Sequence, residues 1–193
     1  MANSNRVFGF IPVSTVSGAD NNMAEMVCAF VAGDSTAAFV GDLVLFTGAA
    51  NADGIPIVKQ AAATDVGLAG AIVSFDVDGA ALGTMNRAAS TAKLCKVNVD
   101  PNTVYLCQAN AAVPIIDLGM NYKPVVAAGS TVTGASGMQL DYSTKATTAT
   151  FPLKIVGYDR ATDNTVAAAY NKVLVKINSH IFGSVGTTGV QGS

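Results

Sequence analysis

Short apolar runs, repeatedly cut by Gly, Asn, Asp and Ser, most narrow what this chain can fold into. Runs rich in Val, Ile, Phe, Tyr and Thr between such residues read as strands. They fall at Glu25–Ala32, Ala38–Phe46, Ile55–Lys59, Gly70–Phe75, Ala92–Val99, Thr103–Ala109, Val113–Leu118, Phe151–Tyr158 and Lys172–Asn178. Most of the gaps between them are short. The spacing therefore predicts an all-β protein, an antiparallel β-sandwich or small β-barrels, rather than repeated βαβ units. Residues 36–80 form a candidate SH3-like barrel beside a second β unit, within a body spanning 25–182.

The clearest strand is Lys172–Asn178. Val173, Val175 and Ile177 share one face, and Lys172, Leu174, Lys176 and Asn178 the other, as a period of two requires. Ala92–Ala109 reads as a hairpin around Asp100-Pro101-Asn102. Pairing symmetric about Pro101 sets Cys95 opposite Cys107, as two buried thiols or as a disulfide formed later. Met23, Met26, Val27, Phe30 and Val31 fit a helical stripe as well as a strand buried on both faces. The β-favouring residues Val27, Cys28, Phe30 and Val31 decide for the strand.

The ends differ from the body. Residues 1–24 read as an extended arm, polar but carrying Val7, Phe8, Phe10 and Ile11, which either docks on a neighbouring chain or packs on its own domain. Residues 183–193 are Gly-rich and read as a flexible tail. The first residues have one Arg and a short apolar stretch broken by Gly9 and Pro12, and are not read as a signal peptide.

Charge bears on partners. Only 12% of the 193 residues are charged, with a net charge of -2. Soluble domains carry about 25%. A surface so poor in charge suits either a Thr/Ser/Asn-coated β protein or one covered by other subunits. No basic excess exists to hold nucleic acid, and no apolar run reaches the roughly 18 residues of a membrane span. Three cysteines, an odd number, argue against a secreted disulfide scaffold and for synthesis in a reducing cytoplasm.

Chemistry-bearing groups are sparse. His180 is the sole histidine, and in an extended chain its neighbour Ser179 points to the opposite face, so no catalytic residue is expected. Cys28, Cys95 and Cys107 lack zinc-site spacing, and Asp76 and Asp78 read as turn residues rather than calcium ligands. Gly134–Gly137 lies between β runs and reads as a turn, not a phosphate loop. No metal, cofactor or small-molecule substrate is expected. Nor is an aromatic sugar platform, given that Trp is absent.

Several stretches resemble a known family: TAAFVGDLVLFTG from Thr36, IPIVKQAAATDVGLAGAIVSF from Ile55, and AASTAKLCKVNVDPNTVYLCQAN across the presumed hairpin. DLGMNYKPVVAAGSTVTGASGMQLD and the closing AYNKVLVKIN complete the series. Together, over roughly residues 25–182, they resemble the cement (decoration) proteins of tailed bacteriophages. The resemblance implies a non-enzymatic virion protein on the outer capsid surface, bound to the major capsid protein and to itself, as a homotrimer rather than a homodimer. Arg6, Val7, Phe8, Phe10 and Ile11 of the arm are then the candidate subunit or capsid interface. A receptor- or glycan-binding module of a phage fibre or adhesin is the competing reading.

Overall fold

The computed structural model describes residues 3–18, 24–77, 79, 82–183 and 186–190. Met23 and Asp78, named above, lie outside them. The strands are β1 (Ile11–Thr15), β2 (Glu25–Phe30), β3 (Leu43–Ala50), β4 (Pro56–Gln60), β5 (Gly70–Phe75), β6 (Lys93–Asn98), β7 (Thr103–Gln108), β8 (Asn121–Val125), β9 (Gln139–Ala146), β10 (Leu153–Tyr158) and β11 (Lys172–Ile177). The chain is all-β, with one 3₁₀ turn, Ile115–Asp117, among the described residues.

Two β units result. Strands β2-β4-β3-β5-β6 close a barrel, and β1-β7-β11-β10-β8-β9 form a six-stranded antiparallel sheet. The barrel is antiparallel except where β2 meets β4 at Ala29 and Ile57. Residues 36–80 supply only β3, β4 and β5; β2 and β6 close it from either side. The chain enters the barrel after β1 and leaves it before β7, and β1 and β7 pair with each other, Thr15 opposite Thr103.

Strand alternation builds two cores. Cys28, Phe30, Val44, Val58, Ile72, Cys95 and Val97 fill the barrel. Val173, Val175 and Ile177 of β11 join Tyr105, Cys107, Tyr122, Leu140, Leu153 and Ile155 in the sheet's core. Leu43 and Ala71 belong to this second core, while their neighbours Val44 and Ile72 belong to the first. The first residues of β3 and β5 are thus buried on both faces, which is why those stretches read as continuous apolar runs. Burying one such side chain stabilises the fold by about 1.5–3 kcal/mol.

Two glycines permit close approaches. Gly70 has φ +144°, and a Cβ there would lie 1.7 Å from the Asn98 carbonyl oxygen. Gly9, at φ +78°, crosses Gly41 so closely that a Cβ would meet the Gly41 oxygen at 2.7 Å. Only glycine fits either place without shifting backbone.

The expected hairpin is absent. The Asp100 turn forms, with Asn102 N–H donating to Asp100 Oδ1 at 2.8 Å, but it carries the chain from barrel to sheet. Strand β6 pairs with β2 and β5, and β7 with β1 and β11. Cys95 therefore faces Cys28 in the barrel rather than Cys107, and all three thiols are free and buried. Val113–Leu118, expected as a strand, holds the 3₁₀ turn, with Ile115 and Ile116 exposed.

Candidate interaction surface

The arm lies along its own body. The buried Gln108 carboxamide, at the end of β7, donates to the carbonyls of Ser4 (2.8 Å) and Tyr170 (3.1 Å) and accepts from Arg6 N–H (3.0 Å). Asn3 exchanges hydrogen bonds with the Thr165 backbone in both directions. Phe10 N–H donates to Gly41 O at 2.9 Å, and the Phe10 ring is fully buried in the core shared by the two units. The expectation that Phe10 contacts another subunit is corrected: a ring with no exposed surface has none to offer. Arg6 and Ile11 are exposed, and Val7 and Phe8 half-buried.

Phe8 and Ile11 instead share a groove of about 510 Å³ with barrel and loop residues. Its other apolar walls are Val40, Val73, Phe75, Val77, Leu82 and Met85, with Thr133–Ala135 opposite. Among the described lining residues Asp76 carries the sole charge. Val77 is 74%, Leu82 75% and Met85 58% exposed, unusual for apolar side chains of that size. Sequence reading misses Leu82 and Met85 because neither sits on a strand. The available signal is large apolar residues stranded in a Gly/Ala-rich loop, where no core claims them.

A second, polar pocket of about 540 Å³ lies between arm and body, lined by Asn3, Ser4, Arg6, Phe8, Gln108, Asp163, Tyr170 and Lys172. Tyr170 has φ 58° and Ala167 φ 62°, left-handed conformations that cost non-glycine residues energy. Lys172 is paired with Asp163 at 2.6 Å and Asp159 at 3.8 Å.

Other polar groups hold the fold. Arg87 is wholly buried: its guanidinium donates to the carbonyls of Thr91, Thr36, Val31 and Asp34, pairs with the Asp34 carboxylate at 3.4 Å, and lies 5.0 Å from the Phe30 ring centre. One side chain thereby ties together the loops at 31–36 and 87–91. Burial raises the carboxyl of Asp42 above its usual range, opposed by hydrogen bonds that include Phe39 N–H and Gln60 Nε2.

His180 stands where the chain leaving β11 meets the barrel, bridged to Leu68. It is buried, its Nδ1 accepts from Phe182 N–H at 3.1 Å, and burial lowers its pKa from 6.5 to about 4. A ring so placed is a neutral structural group at neutral pH. Among the described residues no three His, Cys, Asp or Glu side chains gather as metal ligands, and no helix is long and apolar enough to cross a membrane.

The tail is not free where it is described. The Asn178 side chain bonds Thr187 N–H, Thr187 O and Thr187 Oγ1, and Lys154 Nζ donates to Thr187 Oγ1 at 2.6 Å and Thr188 O at 2.8 Å. Gly189 and Val190 N–H groups donate to Thr147 and Gly119. Residues 186–190 thus lie hydrogen-bonded against the sheet; 184–185 and 191–193 lie outside the described residues.

Set against family models, curated proteins and solved structures, the chain gives no match in any of the three.

Proposed function

We propose that the chain is a capsid cement protein of a tailed bacteriophage, binding the outer head surface through the apolar groove and acting without catalysis. The groove carries this reading. Phe8 and Ile11 from the arm meet Val77, Leu82 and Met85 in one trough whose sole charged lining residue among those described is Asp76, and exposed apolar patches of this kind mark protein contacts. The low charge of the whole chain and the resemblance of residues 25–182 to cement proteins support it. The partners are the major capsid protein and further copies of the chain, with a closed trimer suiting a three-fold position. The arm's role changes from a free clamp to a fixed wall of the docking surface. Binding the assembled shell more tightly than separated subunits stabilises it by roughly RT ln(1 + [L]/Kd) per site.

The test uses head shells of the phage that carries this gene, stripped of the chain and mixed with purified protein. Leu82→Asp and Met85→Asp, both exposed, leave the fold intact and abolish co-sedimentation with shells. Undiminished binding by the double variant would refute the groove as the contact.

The polar pocket favours a second reading, a glycan-binding module. Phe8 and Tyr170 offer aromatic faces, and Asn3, Asp163 and Lys172 offer hydrogen bonds. Hits on a glycan array that vanish in Tyr170→Ala, together with no shell binding, would replace the cement reading.

A further inference from the structure

Asp117 and Lys145 form the one ion pair among the described residues whose carboxylate is wholly buried. Lys145 Nζ lies 2.5 Å from Asp117 Oδ1, and Tyr122 donates its hydroxyl to the other oxygen, Oδ2, at 2.8 Å. Asp117 ends the 3₁₀ turn, its N–H donating to Pro114 O and its carbonyl accepting from Met120 N–H, so its backbone is held from both sides. Lys145 lies near the end of β9, an outer strand of the sheet, where the pairing with β8 is irregular between Asn121 and Lys123. The side chain is only 29% exposed and reaches inward to the carboxylate.

We propose that Lys145 and Asp117 condense into an intramolecular isopeptide bond, a covalent modification that staples β9 to the turn before β8.

The step needs no outside reagent. One proton passes from the ammonium to Oδ1 across the short contact, giving a neutral amine and a carboxylic acid. The Nζ lone pair attacks Asp117 Cγ, and the C–N bond forms. The developing negative charge falls on Oδ2, where the Tyr122 hydroxyl already donates. The Cγ–Oδ1 bond then breaks, and Oδ1 leaves as water with a second proton from nitrogen. Oδ2 becomes the amide carbonyl. Nothing is oxidised or reduced. Burial, followed by its bond to Asp117, holds the Tyr122 phenol well above its usual pKa, so it stays a donor throughout. The Tyr158 hydroxyl, bonded to Pro114 O at 2.6 Å, closes the neighbouring side. The carboxylate is wholly buried, and the pre-set contact supplies the orientation on which such intramolecular reactions depend.

Tyr122 acts as a positioning residue. Without its hydroxyl the ion pair remains but the oxyanion loses its donor.

The test is the mass of the purified full chain under denaturing conditions, with sequencing of its proteolytic peptides. The expected result is a chain lighter by one water molecule and a branched peptide joining the segments around Asp117 and Lys145. Lys145→Arg keeps a cation beside Asp117 but cannot form this amide, and should show the full mass. Tyr122→Phe should form the bond more slowly when followed from freshly synthesised protein. A folded, aged wild-type chain of full mass, with no branched peptide, overturns the proposal and leaves an ion pair only. So does loss of one water that persists in Lys145→Arg.

Discussion

Replacing Phe10 by Ala removes a ring with no exposed surface from the core shared by barrel and sheet. Truncating a buried Phe to Ala costs about 3–5 kcal/mol, the lost transfer energy plus the cavity left behind. In a chain of this length 1 kcal/mol moves the melting temperature by about 2–4 °C, so the variant should melt roughly 6–20 °C lower. Ile11→Ala, one residue on and 42% exposed, is the control. It should cost no more than about 1 kcal/mol. The assay is thermal and urea unfolding followed by circular dichroism, with the urea slope checked for a constant two-state transition. If Phe10→Ala and Ile11→Ala lose the same small amount, the arm contributes nothing to the core and the reasoning about its seat fails.

Arg87→Met should destabilise the chain by about 3 kcal/mol or more, since four carbonyls lose their donor and Asp34 its counter-charge; an unchanged urea midpoint would contradict this. His180 stays neutral in the fold down to about pH 4, whereas the unfolded chain takes up its proton near pH 6.5. Its contribution is therefore complete above pH 6.5 and lost as the pH falls towards 4, with Asp100 opposing and Lys176 reinforcing the shift. Melts of wild type and His180→Gln at pH 7.5 and 4.5 should show the larger acid loss in wild type. Burial pushes the Cys28 thiol up to about 11 and raises Cys95 and Cys107 further. A thiol reagent at pH 8 should find none of the three in the native chain and all of them after denaturation.

Strands whose alternation is strong were legible from sequence. β11 shows its buried Val173, Val175 and Ile177 as read, and β5 begins and ends where its apolar run does. Partners were less legible. The Asp100-Pro101-Asn102 turn is real, but a turn fixes only the chain's reversal. Asn98 Oδ1 accepts from Thr103 Oγ1 and Tyr105 OH across that turn, and distant strands β2 and β11 supply the longer ladders. β1 and β8 escaped notice because Pro12 and Pro124 argue against strands; β1 tolerates proline as an edge strand. β9 has a polar run, QLDYSTKA, since it too lies at an edge. For the candidate surface, Phe8 and Ile11 were found as apolar residues in a polar arm. Leu82 and Met85 were not, because an apolar residue without a period points to no face.

The meeting of Thr15 with Thr103 has a topological consequence. The barrel is a guest threaded between two neighbouring strands of its host, and a tight turn could join the stumps if it were cut out. Yet Leu43, Ala61, Leu68 and Ala71 of the guest roof the host's interior. An excised host would keep an unbroken path but stand open on one side. Host and guest should therefore melt together in one transition.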